Sequence, residues 1–233
     1  MINQYSSNYP AQEFASFNNF IAIDSNQAAK STAIQFALEA TSYNVLGISS
    51  SVGNGATHLA LAILNENDKR NKTKEIFYSS YEGLIYNHAD INESTIFNED
   101  FLSSKSLILI DSFYESADQK INDRLFNVLK TVNTKIIFTY NRGTKVPIVQ
   151  KEINLTSPSK LEKEIIIRNI LKTEKMNLSL EIINYISDQI NLSVRQIEGL
   201  IISIFAKEAL GNFSTDIELV KKIHYRMVKT IRL

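Results

Sequence analysis

The sequence has no cysteine, only three histidines and no net charge, because 25 basic side chains are balanced by 25 acidic ones over 233 residues. Without cysteine there can be no disulfide and no thiolate metal site, which fits a reducing cytoplasm. The histidines stand far apart and offer no metal-ligand spacing, so no metal site of the protein's own is expected. Balanced charge removes the whole-molecule field that draws nucleic acid non-specifically, so any contact with DNA has to be local. No apolar run approaches the roughly 20 residues that span a bilayer, and the opening Met1 to Pro10 lacks the apolar centre of a secretion signal. The expectation is a soluble cytoplasmic protein with no membrane contact. What is present is a hydrophobic fraction of 44%, enough to bury the core of one large domain or two modest ones.

Along the chain, residues 1–13 are polar and read as a loose leader. From Asn26 to Ala40 the residues Ala29, Ala33, Phe36, Ala37 and Ala40 recur at helical spacing, with Asp24 or Ser25 as the expected cap. Tyr43 to Ser49 is a short apolar stretch running into a glycine-bearing turn and then an alanine- and leucine-rich helix. Glu75 to Ser80, Ser106 to Asp111 and Lys135 to Tyr140 read as three further buried strands, each separated by a helix-length segment. Strands alternating with helices predict a parallel α/β sheet over residues 14–156. Beyond Pro158 the pattern changes. Leu161 to Glu174, Ser179 to Ile190, Val194 to Leu210 and Thr215 to Ile231 all carry helical periodicity, so residues 157–233 form an all-helical unit, with Thr156-Ser157-Pro158-Ser159 supplying the break and a cap. No internal repeat interrupts this plan.

Two short motifs carry chemistry. A phosphate loop needs glycines that let backbone N–H groups turn inward, a lysine for the outer phosphates and a hydroxyl for magnesium. In Ser50-Ser51-Val52-Gly53-Asn54-Gly55-Ala56-Thr57 the residues Gly53, Gly55 and Thr57 fit, while Ser50 replaces the first glycine and Ala56 the lysine. As a bare pattern this equals any glycine-bearing strand-to-helix turn. An acidic pair at the end of a buried strand should follow, one member for magnesium and one to orient water. Leu107 to Ser112 keeps Asp111, but Ser112 cannot serve as a base, and Glu115 reads better as a solvated acid than as its substitute.

From Phe17 to about Ile223 the residues resemble the bacterial DnaA family. FNNFIAIDSNQAA is similar to that family's opening segment, SVGNGATHLALAI to its phosphate loop, LILIDSF to its magnesium-binding strand, and IIFTYNRG to the strand ending in a polar sensor, here Asn141. NLSVRQIEGLI resembles the stretch with the lid arginine, here Arg195, followed by Glu198 and Gly199. The resemblance implies an AAA+ parallel-sheet nucleotide-binding domain followed by a small helical lid. It implies nucleotide contacts at Gly53, Gly55, Thr57, Asp111, Asn141 and Arg195, with ATP or ADP and magnesium as ligands. Loss of the lysine makes that binding weak or absent and leaves no catalytic residue to assign.

Departures from the family shape the functional expectation. The family continues into a helix-turn-helix DNA-reading domain, whereas this chain stops at Leu233, so sequence-specific DNA recognition is not expected. The segment from Asn141 to Ser157 holds only Arg142, and no arginine finger can be placed in it. Tyr81 to Ser104 contains no lysine or arginine but includes Glu82, Asp90, Glu93, Glu99 and Asp100, which would repel a phosphate backbone. The plan resembles the Hda group of DnaA regulators, which attach to the sliding clamp through a glutamine-led motif; the leader at Gln4 is a poor version of it. The leading expectation is a regulator or assembly partner docking on DnaA, a helicase or the clamp, with little or no ATP hydrolysis. The alternative is an ATP-dependent initiator or helicase loader with substituted catalytic residues. A third reading uses Lys221, Lys222, Arg226, Lys229 and Arg232 to touch DNA, against an amphipathic helix that packs Val220, Ile223, Met227 and Ile231. Simpler roles also stand beside the others: Arg195 paired with Glu198, His58 packed at a helix start, Asp111 as a strand-end acid and Asn26 as a turn or cap residue.

Overall fold

The computed structural model describes residues 15–71, 74–87, 98–114, 119–211 and 215–231. The leader with Gln4, the acids Asp90, Glu93 and Glu115, and Arg232 lie outside these residues. The chain forms two compact units, residues 1–156 and 157–233.

In the first unit the four apolar stretches become β1 (Val45–Ser50), β2 (Ile76–Ser80), β3 (Leu107–Phe113) and β4 (Lys135–Asn141). A fifth strand, β5 (Lys151–Leu155), is absent from the sequence reading, because Lys-Glu-Ile-Asn-Leu buries only Ile153 and Leu155 and carries too little apolar signal. The order is β2-β3-β4-β1-β5 and every neighbouring pair is parallel. Side chains alternate across such a sheet, so β1, β3 and β4 read as continuous apolar runs buried on both faces. One face carries Leu46, Ile48, Leu107, Leu109 and Ile137, packed with α1 (Gln27–Ala37) and α2 (Ala56–Arg70) through Ala33, Phe36, Leu59 and Ile63. The opposite face carries Ile108, Ile110, Ile136 and Phe138 beneath α3 (Tyr81–Asn87), α4 (Glu99–Ser103) and α5 (Gln119–Thr131). Each fully buried Ile, Leu or Phe here stabilises the unit by about 1.5–3 kcal/mol. The start of α1 differs from expectation. Its N-cap is Asn26 rather than Asp24 or Ser25, and the Asn26 side chain does not cap the helix but closes the preceding turn, accepting from the Ile23 N–H at 2.9 Å and donating to the Ile21 carbonyl at 3.1 Å.

The second unit consists of α6 (Lys160–Thr173), α7 (Leu180–Ser187), α8 (Val194–Leu210) and α9 (Ile217–Ile231). Its own core gathers Ile167, Ile182, Ile186, Ile197, Leu200, Ile201, Ile204 and Val220. Serines start three of its helices: Ser159, Ser179 and Ser193 each accept from an N–H of the first turn, and Ser159 with Glu162 and Ser193 with Gln196 complete capping boxes.

Candidate nucleotide site

Strands β1, β2 and β4 end together on one side of the sheet, where Ser50 of β1 stands opposite Asn141 of β4 and Ser80 of β2 opposite Asp111, two residues before the end of β3. Alternation places Asp111, Thr139 and Asn141 on the side that α2 covers. Between β1 and α2 the chain turns through Gly53 at φ 82° and Gly55 at φ 97°. Gly55 is the N-cap of α2, and a Cβ there would also come within 3.2 Å of the Phe20 ring, so the left-handed backbone and the close packing both favour glycine. Gly55 has no side chain with which to cap α2. The first-turn N–H groups and the positive end of this 15-residue helix therefore begin at the loop without an N-cap side chain.

Asp111 is buried beneath this helix start. It accepts from the Thr57 hydroxyl at 3.0 Å and from the Thr139 hydroxyl, which in turn accepts from the Ser112 N–H at 2.8 Å. One carboxylate thus ties β3, β4 and α2 together. Thr139 is the member that sequence reading missed; the available signal was its place two residues before Asn141, hence on the same face, in an otherwise apolar strand. Ser112 has φ 59° and sits in an irregularity of the β3–β4 pairing, its side chain exposed. Tyr78 approaches from β2, and burial followed by the charge of Asp111 pushes its phenol pKa above the ordinary value.

The lysine position is filled by a methyl group. Ala56 is buried and belongs to the hydrophobic cluster of Leu59, Ala60 and Ile63. Arg142 is exposed in the turn after β4, its N–H donating to the Ser50 carbonyl at 3.2 Å. The segment before α1 packs against the loop: Phe20 meets His58 edge to face at 5.5 Å, and the His58 Nε2 lies 3.3 Å from the Ser16 carbonyl and 3.1 Å from the Asn19 Oδ1. His58 is thus engaged in packing, as its simpler role supposed. The first unit brings Gly53, Gly55, Thr57, Asp111 and Asn141 to one edge, while Arg195 stands on α8 of the second unit. Among the described residues no ion pair joins Arg195 to Glu198, so the simple surface pairing is not formed.

The residues fit a phosphate group in part. Helix end and glycine loop suit an anion, and Thr57 with Asp111 would hold a magnesium ion that takes its other ligands from phosphate and water. No group of three or more metal-ligating His, Cys, Asp or Glu side chains occurs among the described residues. The ammonium group that would neutralise the outer phosphates is missing, and Ser112 supplies no base. Among the described residues no helix is long and apolar enough to cross a membrane.

A five-stranded parallel sheet in this order, with a glycine loop between β1 and α2, an acid near the end of β3, a polar residue ending β4 and an all-helical unit following in sequence, is the AAA+ nucleotide-binding architecture. The family model of the bacterial DnaA ATPase domain matches residues 11–165, and the chain belongs to that family. It is 30% identical over 240 residues to the chromosomal replication initiator protein DnaA of Flavobacterium psychrophilum, covering 93% of this chain and 49% of that protein. The chain spans about half the length of the curated relatives it matches. Domain III of Thermotoga maritima DnaA superposes with a TM-score of 0.77 at 20% identity, covering 90% of this chain and 95% of that one. DnaA of Aquifex aeolicus bound to the ATP analogue AMPPCP superposes at 0.71 with 25% identity, covering 83% and 66%.

Proposed function

We propose that this chain works in replication initiation, in the cytoplasm, as a DnaA-related regulator or assembly partner that docks on DnaA, the helicase or the sliding clamp and hydrolyses little or no ATP. The observation that carries this reading is Ala56, a buried methyl where the triphosphate needs an ammonium group. A charge-assisted contact is worth about 1.5–3 kcal/mol, so its loss weakens ATP or ADP binding by about one to two orders of magnitude while Gly53, Gly55, Thr57, Asp111 and Asn141 of the first unit still offer a weak site. Hydrolysis asks more. Lysine, second acid and arginine finger act together on the developing charge, and removing members of such a team costs far more than the sum of parts. Contact with DNA, where made, is not sequence-specific.

Phosphate release from ATP should stay at the background of the buffer, and the chain should retain DnaA or another replication protein in a pull-down without added nucleotide. Turnover that Asp111→Ala abolishes would refute the reading. One observation favours a second function, an ATP-dependent initiator or helicase loader: the Thr57 hydroxyl is still paired with Asp111 at 3.0 Å, the arrangement that a magnesium–nucleotide complex would use. Tight, magnesium-dependent ATP binding in calorimetry would select that function over the first.

A further inference from the structure

The last helix carries a charged surface that neither the phosphate loop nor its proposed role uses. In α9 the residues Lys222, Tyr225, Arg226 and Lys229 follow one another at i, i+3, i+4 and i+7, so they form a single stripe, and all four are exposed, Tyr225 by 61%. The Lys229 ammonium lies 4.9 Å from the centre of the Tyr225 ring, so cation and aromatic form one continuous surface. The acid on this helix, Glu218, pairs with Lys221 at 2.7 Å, a turn before the stripe, and Glu181 of α7 also acts on Lys221. The stripe itself contains no acid. In a protein of zero net charge this is a local concentration of cations, the condition under which a polyanion binds one place rather than everywhere.

We infer that the Lys222, Tyr225, Arg226 and Lys229 face of α9 is a sequence-independent binding surface for a nucleic-acid strand, the cations contacting phosphates and the tyrosine a base. Seven residues of helix span about 10 Å, which matches about three phosphates at roughly 3.4 Å of axis per nucleotide. An exposed tyrosine beside phosphate-binding cations is the combination that single-stranded nucleic acid uses, because every base has a face to stack. An anionic membrane fits less well. A helix lying in a bilayer surface presents aliphatic side chains to it, whereas here Val220 and Ile223 are buried in the helical core and Leu219 and Met227 pack against it. The packing and the contact readings of this helix, rivals in the sequence, occupy opposite faces of it.

The test is fluorescence anisotropy of a labelled oligothymidylate of about 20 nucleotides with the full chain, titrated between about 50 and 200 mM salt. Lys222→Gln/Arg226→Gln/Lys229→Gln should weaken binding at the lowest salt by on the order of tenfold to a hundredfold and reduce the slope of log affinity against log salt by about 2, at about 0.7 for each phosphate no longer neutralised. Lys130→Gln/Lys151→Gln/Lys172→Gln removes the same charge from exposed positions elsewhere and should bind as the unaltered chain does. Tyr225→Ala should weaken the single strand by roughly tenfold and leave a duplex of the same length unaffected. All altered side chains are exposed, so circular dichroism should show unchanged folding. The inference is overturned by absence of binding at the lowest salt, by equal weakening in the two triple variants, or by retention on phosphatidylglycerol vesicles without retention of DNA.

Discussion

The start of α2 and the starts of α6, α7 and α8 solve the same problem in opposite ways. Every helix leaves its first N–H groups without intrahelical partners. In the helical unit Ser159, Ser179 and Ser193 supply side-chain oxygens to them, so those ends are finished within the chain. At α2 the N-cap is Gly55, with no side chain to offer and a left-handed backbone. An end left open in this way suits an external anion, and the loop around it has that shape with Ala56 in place of a lysine. Backbone geometry and side-chain charge are therefore separable features of the loop: the first rests on the left-handed Gly55, where a side chain would be strained and would crowd Phe20, while the second is set by Ala56, whose methyl group packs in the core.

That contrast can be broken deliberately. Gly55→Val puts a branched side chain at φ 97° and against Phe20, and should destabilise the first unit by about 1–3 kcal/mol in urea unfolding. An unchanged midpoint would mean that the loop can relax and that its shape is not enforced. Ser159→Ala removes the side-chain cap of α6, the kind of cap that Gly55 cannot give α2, and should cost about 1 kcal/mol in the same unfolding measurement. The smallest effect concerns His224, whose Nδ1 lies 2.9 Å from the Tyr185 hydroxyl. Burial lowers the His224 pKa, so the folded protein favours the neutral ring. Stability from this group is present above the ordinary histidine pKa of about 6.5 and is lost as pH falls through the lowered folded value. The melting temperature of the unaltered chain should therefore drop slightly more between neutral and mildly acidic pH than that of His224→Gln; parallel curves would remove the pairing from the account.

The sequence made the sheet legible where strands are apolar on both faces, as in β3 and β4, and hid β5, whose Lys151, Glu152 and Asn154 are exposed at the sheet edge. Helix α6 was readable from both periodicity and its serine. Of the candidate site, the spacing of Gly53, Gly55, Thr57, Asp111 and Asn141 was readable, and the fold brings these positions to one side of the sheet. Thr139 was not, because a threonine inside a strand carries no motif and its role depends on the register that brings it beside Asp111. The cap of α1 failed for a related reason: Asn26 bonds backward to its own turn, and nothing in the local sequence distinguishes that from a forward cap.

The most direct test of the separation between shape and charge is calorimetric titration of magnesium–ATP into the unaltered chain and into Ala56→Lys. Restoring the ammonium group to an intact cradle should raise affinity by about tenfold to a hundredfold. Equal affinities, or tight binding by the unaltered chain, would contradict the account.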